Sequence, residues 1–473
     1  MRKKNIIVLA IMLLFLTPLS VSANNEDIKQ LLESYVGESL GTYNIPGASL
    51  KIIKNGETFY QGNWGVMSDE TRVTSDTPFL IGSLSKPITS LAILMLVEDG
   101  KIKLDETLTT YIPSFKYKTI SPKEIKVLHL LKQTSGISQF DSLKITDIDT
   151  KDKDALTKAV GELNGVELSN EPGTVYEYNS VNYLLLGSII EEVTNQTFSE
   201  FINKNIFAPL GMNHSAADYE SAVDKGYVPG FKSWFGKPIK SKELYDNAGA
   251  PYGYMVSSTN DLAKFLTFMQ KGGELLSDEN LQILKTPPEE EGTYGLGWHF
   301  SKEEKFPFHG GATPDYRAEM FYMDEKDYAV VLLTNKYHIM EDAQVFYIMD
   351  GIRSIMNGAE PLELQESSNT IQWIALGLIL LLTVLTIFHI FLLRKRKRKN
   401  SKWSYTYGSL LIILAIGIIP IVIYAMDSPW KSIRLFAPDI AFLINILVVI
   451  FCINGVSPIL FNKLPKLNKY EEM

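Results

Sequence analysis

The sequence predicts an α/β domain followed by three membrane-spanning helices, and three observations carry that prediction. Strand patterns lie near both ends of residues 24–369 with helical periodicities between them, which suggests one sheet joining the two ends of that segment. Three apolar runs, 371–393, 405–424 and 437–461, each reach the ~20 residues that a helix needs to cross the hydrocarbon of a bilayer. Charge divides the same way. The 473 residues hold 46 Lys and Arg against 54 Asp and Glu, a net −8, but residues 24–369 hold 31 against 50, a net −19. That balance argues against a nucleic-acid-binding surface, and the apolar ends exclude a simple cytosolic enzyme. The single cysteine, Cys452, lies inside the third apolar run, which excludes a disulfide framework and a thiolate metal cluster.

Residues 1–23 open with Arg2-Lys3-Lys4, continue through an apolar stretch from Ile6 to Leu16, and end in Val21-Ser22-Ala23. This reads as a secretory signal cleaved after Ala23, with an uncleaved anchor as the alternative. Ile28, Leu31, Leu32, Tyr35, Val36 and Leu40 then fall at helical spacing. Residues 48–53 and 57–65 form a hairpin turned at Asn55-Gly56. A long helix follows over 83–99, stopped by Gly100, and a second over 183–193. Residues 318–323 and 328–335 are another strand pair, turned at 324–327. Ser367, Ser368 and Asn369 make a short polar joint to the spans. Arg394 to Lys399, six basic residues in a row after the first run, place that loop in the cytoplasm; Lys463, Lys466 and Lys469 put the C-terminus there too. Asp439, Asn445 and Asn454 make the third run the weakest span.

The chemistry-bearing motif is Ser83-Leu84-Ser85-Lys86, an S-x-x-K at the head of the 83–99 helix. Residues i and i+3 share a helix face, so the Lys86 amine reaches the Ser83 hydroxyl. A serine needs a base to take its proton, and a lysine lowered in pKa can serve. A helix N-terminus also favours the anionic tetrahedral intermediate of acyl transfer. Alone, S-x-x-K is weak: a serine cap with a solvated lysine has the same spelling.

Context strengthens it. Ile45-Pro46-Gly47-Ala48, Thr77-Pro78-Phe79-Leu80-Ile81-Gly82 leading into Ser83, and Leu96 to Asp105 come in order. His129-Leu130-Leu131 with Thr134-Ser135-Gly136, Glu171-Pro172-Gly173, and Leu184-Leu185-Leu186-Gly187 follow. Pro209-Leu210-Gly211-Met212, Ser258-Thr259-Asn260-Asp261-Leu262, Tyr294-Gly295-Leu296-Gly297-Trp298 and His309-Gly310-Gly311 complete the series. Over residues 24–350 the chain resembles the class C β-lactamase-like serine hydrolases, a family that includes low-molecular-weight penicillin-binding proteins, D-aminopeptidases and esterases.

The resemblance implies an antiparallel sheet flanked by helices, with a helical subdomain. It implies an acyl-enzyme on Ser83, with Lys86 sharing the base role and Tyr178, from Tyr178-Asn179-Ser180, as general base or proton shuttle with a depressed pKa. The N–H groups of Ser83 and Ala312 would form the oxyanion hole. Ser180, His309, Gly310 and Gly311 would face substrate, the glycines admitting its backbone and His309 serving a substrate carboxylate or Tyr178. Ser180 stands where the family usually has asparagine; a hydroxyl is shorter and donates one proton, which counts against efficient β-lactam hydrolysis. His129 reads as a packing residue, and His389 as polar glue between spans. His129, His214, His299 and His338 are scattered without zinc spacing, and no phosphate loop is present, so neither a metal nor another cofactor is expected.

The reading is a multi-pass membrane protein whose extracellular domain hydrolyses D-amino-acyl, peptide or ester groups of the cell envelope and binds β-lactams. The membrane lipid, and a membrane-protein partner through the spans, complete the expected contacts. A true β-lactamase, a small-ester esterase and a non-catalytic penicillin-binding sensor are the alternatives.

Overall fold

The structure, a computed structural model, describes residues 25–119, 121–288, 292–365, 369–395 and 402–463. The expected signal at 1–23, most of the basic run after the first span, Ser367, Ser368, Lys466 and Lys469 lie outside the described residues.

Helix α1 (Asn25–Thr42) leads into β1 (Gly47–Lys54) and β2 (Glu57–Gly65). Asn55 and Gly56 both have positive φ, 55° and 79°, as a two-residue hairpin turn of the twist-matched type requires. Helix α2 (Ser85–Glu98) follows, then a helical lobe containing α3 (Gln139–Ile145) and α4 (Val181–Thr194). A small hairpin, β3 (Phe231–Trp234) and β4 (Lys237–Lys240), precedes α5 (Thr259–Lys271). The chain returns through β5 (His299–Phe300), β6 (Pro307–Thr313), β7 (Tyr316–Met323) and β8 (Tyr328–Thr334), then β9 (Lys336–Tyr337) and α6 (Ala343–Met356).

The six-stranded sheet runs β2-β1-β8-β7-β6-β5, antiparallel throughout. Ala48 pairs with Thr334 and Lys54 with Tyr328, so the first and last strands meet at its centre. Alternation sorts the two faces: Tyr328, Val330 and Leu332 pack with α1 and α6, while Ala329, Val331 and Leu333 pack with the helical lobe. A one-residue slip would exchange both sets, at about 1.5–3 kcal/mol for each large side chain exposed.

One element departs from expectation. Ser83 does not lie in the α-helix but in a 3₁₀ turn, Gly82–Leu84, ahead of α2. Gly82 has φ 54°, and a Cβ there would come within 2.3 Å of the Ala312 nitrogen, so β6 itself dictates the tighter turn.

Beyond residue 369, α7 (Thr370–Lys395), α8 (Lys402–Met426) and α10 (Pro438–Lys463) are long and apolar enough to cross a membrane, with mean hydropathies of 2.7, 2.7 and 2.5. A short helix, α9 (Trp430–Phe436), lies between α8 and α10. Cβ atoms at Gly408 and Gly455 would each meet the other's carbonyl, at 2.5 and 2.8 Å, so α8 and α10 approach backbone to backbone. Two of the polar residues of the third run have partners in other elements. Asn454 bonds His389 and Thr386 of α7 at 2.8 and 2.6 Å, and Asp439 bonds His338 of the α/β domain at 2.8 Å.

Candidate active site

Strand β6 and the Gly82–Leu84 turn meet with no side chain between them. A Cβ at Gly311 would lie 2.0 Å from the Ile81 carbonyl oxygen and 2.9 Å from the Ser83 nitrogen. That approach brings the backbone N–H groups of Ser83 and Ala312 to one place, the arrangement that an acyl oxyanion needs. Both residues are partly exposed, so the spot is open to a ligand.

Lys86, the second residue of α2, is fully buried. Its Nζ lies 2.8 Å from Ser83 Oγ and 2.9 Å from the Tyr252 carbonyl, and 4.8 Å from the centre of the Tyr178 ring. Burial lowers its pKa to about 7, while Asp147 pulls it upward. Asp147 accepts from Tyr254 Oη at 2.7 Å, and its own carboxyl is raised by burial. An amine that is half neutral near pH 7 and touches a serine hydroxyl can accept that proton.

Tyr178 also bonds Ser83, but its pKa is raised rather than depressed: burial dominates, and the Ser83 bond offsets only part of it. The raised pKa corrects the depressed one expected from the sequence; a phenol that keeps its proton can serve the shuttle alternative of that expectation rather than the phenolate base. Its ring stacks on His299 at 5.8 Å and meets Tyr294 edge-on at 5.7 Å. Half-exposed Tyr176, 5.8 Å from Tyr294, extends this aromatic wall to the surface. His299 is held near pKa 4 by burial and then by Lys86, so it stays neutral.

His309 was expected to serve a substrate carboxylate or Tyr178. It is buried, and its Nδ1–H donates to the Gly310 carbonyl at 2.7 Å, leaving Nε2 with a lone pair and no partner. Burial, His299 and Lys86 hold its pKa well below the usual value. A neutral ring draws a carboxylate less than a cation would, and Nε2, a lone pair that could accept a proton donor, makes no bond to Tyr178, whose ring centre is 6.3 Å away. The glycines also serve the protein before any substrate. A Cβ at Gly310 would strike Arg317 Nη1 and Glu319 Oε2, both at 2.8 Å, behind the sheet.

Ser180 is partly exposed at the start of α4 and makes no capping bond with its side chain. The neighbouring amides are committed elsewhere: Asn179 donates to the Ile137 carbonyl and Asn182 to Gln133 Oε1. The Tyr252 carbonyl holds Lys86 instead. Tyr252, Asp147, Tyr294 and His299 were not singled out for the site by sequence reasoning. Only the Tyr294–Trp298 landmark gave a signal, for the loop and not for the rings. Among the described residues, no group of three or more His, Cys, Asp or Glu side chains could hold a metal ion.

Comparison with known proteins gives the family and the fold. A family model described as Beta-lactamase matches residues 28–348. Protein flp of Staphylococcus aureus (strain NCTC 8325 / PS 47) is 29% identical over 317 residues, covering 65% of this chain and 63% of that protein. The chain thus spans less than two thirds of that relative's length. A putative D-alanyl-D-alanine carboxypeptidase of Escherichia coli O157:H7 is 25% identical over 296 residues, covering 54% of this chain and 68% of that one. Among solved structures, the octameric penicillin-binding protein homologue from Pyrococcus abyssi superimposes with a TM-score of 0.60 at 27% identity, over 70% of this chain and 77% of that one. A class C beta-lactamase shares the fold, with a TM-score of 0.59 at 21% identity over 72% and 99% of the two chains.

Proposed function

The chain belongs to the beta-lactamase family, and from that premise we propose that it is a serine hydrolase of the penicillin-binding type, forming an acyl-enzyme on Ser83 with D-amino-acyl or peptide-like substrates of the cell envelope. One observation carries the reading: a fully buried lysine amine, lowered to about 7, lies 2.8 Å from a partly exposed serine hydroxyl.

Neutral Lys86 takes the Ser83 proton as Oγ attacks the acyl carbonyl, and the N–H groups of Ser83 and Ala312 hold the oxyanion. On collapse the bond to the leaving group breaks. Its nitrogen or oxygen takes a proton from Tyr178, which is replenished from the Lys86 ammonium. Water then attacks the ester with Lys86 again as base, and collapse breaks the Ser83 Oγ–acyl bond, Oγ taking its proton back from the Lys86 ammonium and the acid leaving. Ser180 and the open edge of β6 at Gly310 and Gly311 border the acyl group. Serine in place of the family's asparagine leaves β-lactam deacylation slow. The three apolar helices anchor residues 24–369 outside the cell, with the 394–399 loop and the C-terminus in the cytoplasm.

The test treats the full chain with a fluorescent penicillin and follows labelling and its decay, with Ser83→Ala as control. Labelling that persists supports a penicillin-binding hydrolase. Rapid decay points to a β-lactamase, and ester turnover without label to an esterase. No label and no turnover would overturn the enzymatic reading.

A further inference from the structure

The α/β domain is seated on the helices that follow it. The β3–β4 turn carries Trp234, Phe235 and Gly236. Phe235 is buried in a cluster with Ile379 of α7 and Leu443 and Ile450 of α10, and its ring lies 5.1 Å from Trp373. Trp234 lies 5.3 Å from Phe442. Asp439, at the head of α10, accepts from the Phe235 backbone N–H at 3.0 Å and pairs with His338 at 2.8 Å, both side chains fully enclosed. Phe436 of α9 meets Tyr337 edge-on at 6.0 Å. Even Asn369, from the expected joint, packs on Gly236, where a Cβ would come within 2.0 Å of it.

These contacts grip the sheet side of the cleft: Gly230, at the base of the hairpin, bonds Asp315 just past β6 at 2.9 Å. A second grip reaches the other wall. Lys431 of α9 donates to the Lys144 carbonyl at 3.3 Å and to that of Thr146, at the carbonyl end of α3. Helix α3 borders the site, since its Ser142 accepts from the Val181 N–H at 3.1 Å and the Gln139 N–H donates to Glu177 at 2.6 Å. The region around α9 and α10 thus touches both walls that flank Ser83. Ile239, Ile339 and Met340 stand 42%, 48% and 54% exposed close to the same contacts, with Lys237, Lys240 and Arg434 nearby in sequence. Apolar side chains among cations suit a lipid surface.

We propose that the membrane helices form the seat of the catalytic cleft and hold Ser83 against the bilayer surface, so that the acyl donor is one carried on a membrane lipid. This rests on the acyl-enzyme reading above and names the substrate class it implies. A flexible tether would leave the cleft at no fixed place above the bilayer; a seat with one buried grip and a second, half-buried one fixes it.

The experiment reconstitutes the full chain in vesicles of phosphatidylcholine and phosphatidylglycerol. The probe is a D-alanyl-D-alanine peptide on a diacyl anchor, compared with the same peptide free. The rate per penicillin-labelled Ser83 should favour the anchored peptide by about tenfold or more, and Phe235→Ser with Asp439→Ala should abolish the preference while leaving penicillin labelling within about twofold. In a second measurement, fluorescent penicillin on Ser83 should be quenched by nitroxide at the lipid headgroup, and less so in the variant. Labelling with no preference, or a preference kept by the unseated variant, overturns the inference alone. Absence of both labelling and peptide turnover overturns the acyl-enzyme reading, and the inference with it.

Discussion

Among the described residues two lysines are buried, one in the cleft and one behind the sheet near the membrane helices. Lys336 donates to the Tyr43 carbonyl at 2.6 Å and pairs with buried Glu341 at 2.9 Å. Lys86 has a hydroxyl and a carbonyl within bonding distance and no carboxylate; Asp147 acts on it only at longer range. Burial lowers both, but Glu341 counters it at Lys336, through charge and through a hydrogen bond. The pairing partner separates a structural cation from a reactive amine.

Substitution tests that contrast most strongly. Lys86→Ala should lower Ser83 acylation by about a thousandfold or more, measured by the rate of penicillin labelling, because the base is gone. Lys86→Arg should not rescue it, since a guanidinium does not deprotonate. Lys336→Ala should leave acylation nearly unchanged but cost about 3 kcal/mol of stability by stranding Glu341, read from denaturant unfolding.

Next in size is Gly311→Ala. The added methyl meets the Ile81 carbonyl, parts β6 from the serine turn and should slow acylation about a hundredfold, with the penicillin rate again the measure. A smaller effect sharpens the role of Asp147. Acylation needs neutral Lys86, so its rate should rise with pH through a midpoint near about 7. A carboxylate favours the ammonium, so Asp147→Asn should move that midpoint to lower pH, seen in the pH–rate profile. The smallest change is Ser180→Asn, which should raise β-lactam turnover about fivefold, the worth of one hydrogen bond, followed by the decay of label.

The sheet was legible because its strands are short apolar runs set between turn residues, and its hairpin turn is spelled Asn55-Gly56. Ser83 and Lys86 were legible because three residues of separation alone bring them together. What escaped depends on contacts far apart in the chain. The Tyr252 carbonyl reaches Lys86 across 166 positions, and a backbone oxygen leaves no mark in a sequence. Asp439 reads as a flaw in a span until His338, 101 residues away, is placed beside it. The phenol of Tyr178 was assigned the wrong sense of shift because burial outweighs its polar neighbours, and burial is a property of the fold.

The state of the Lys86 amine decides the matter most directly. Full-length protein labelled with ¹³C at lysine Cε can be titrated by NMR, with the Lys86→Arg spectrum identifying the resonance. A midpoint near about 7, distinct from the other lysines, is the expected result. A Lys86 resonance that titrates with the exposed lysines above pH ~10 would contradict a neutral amine as the base for Ser83.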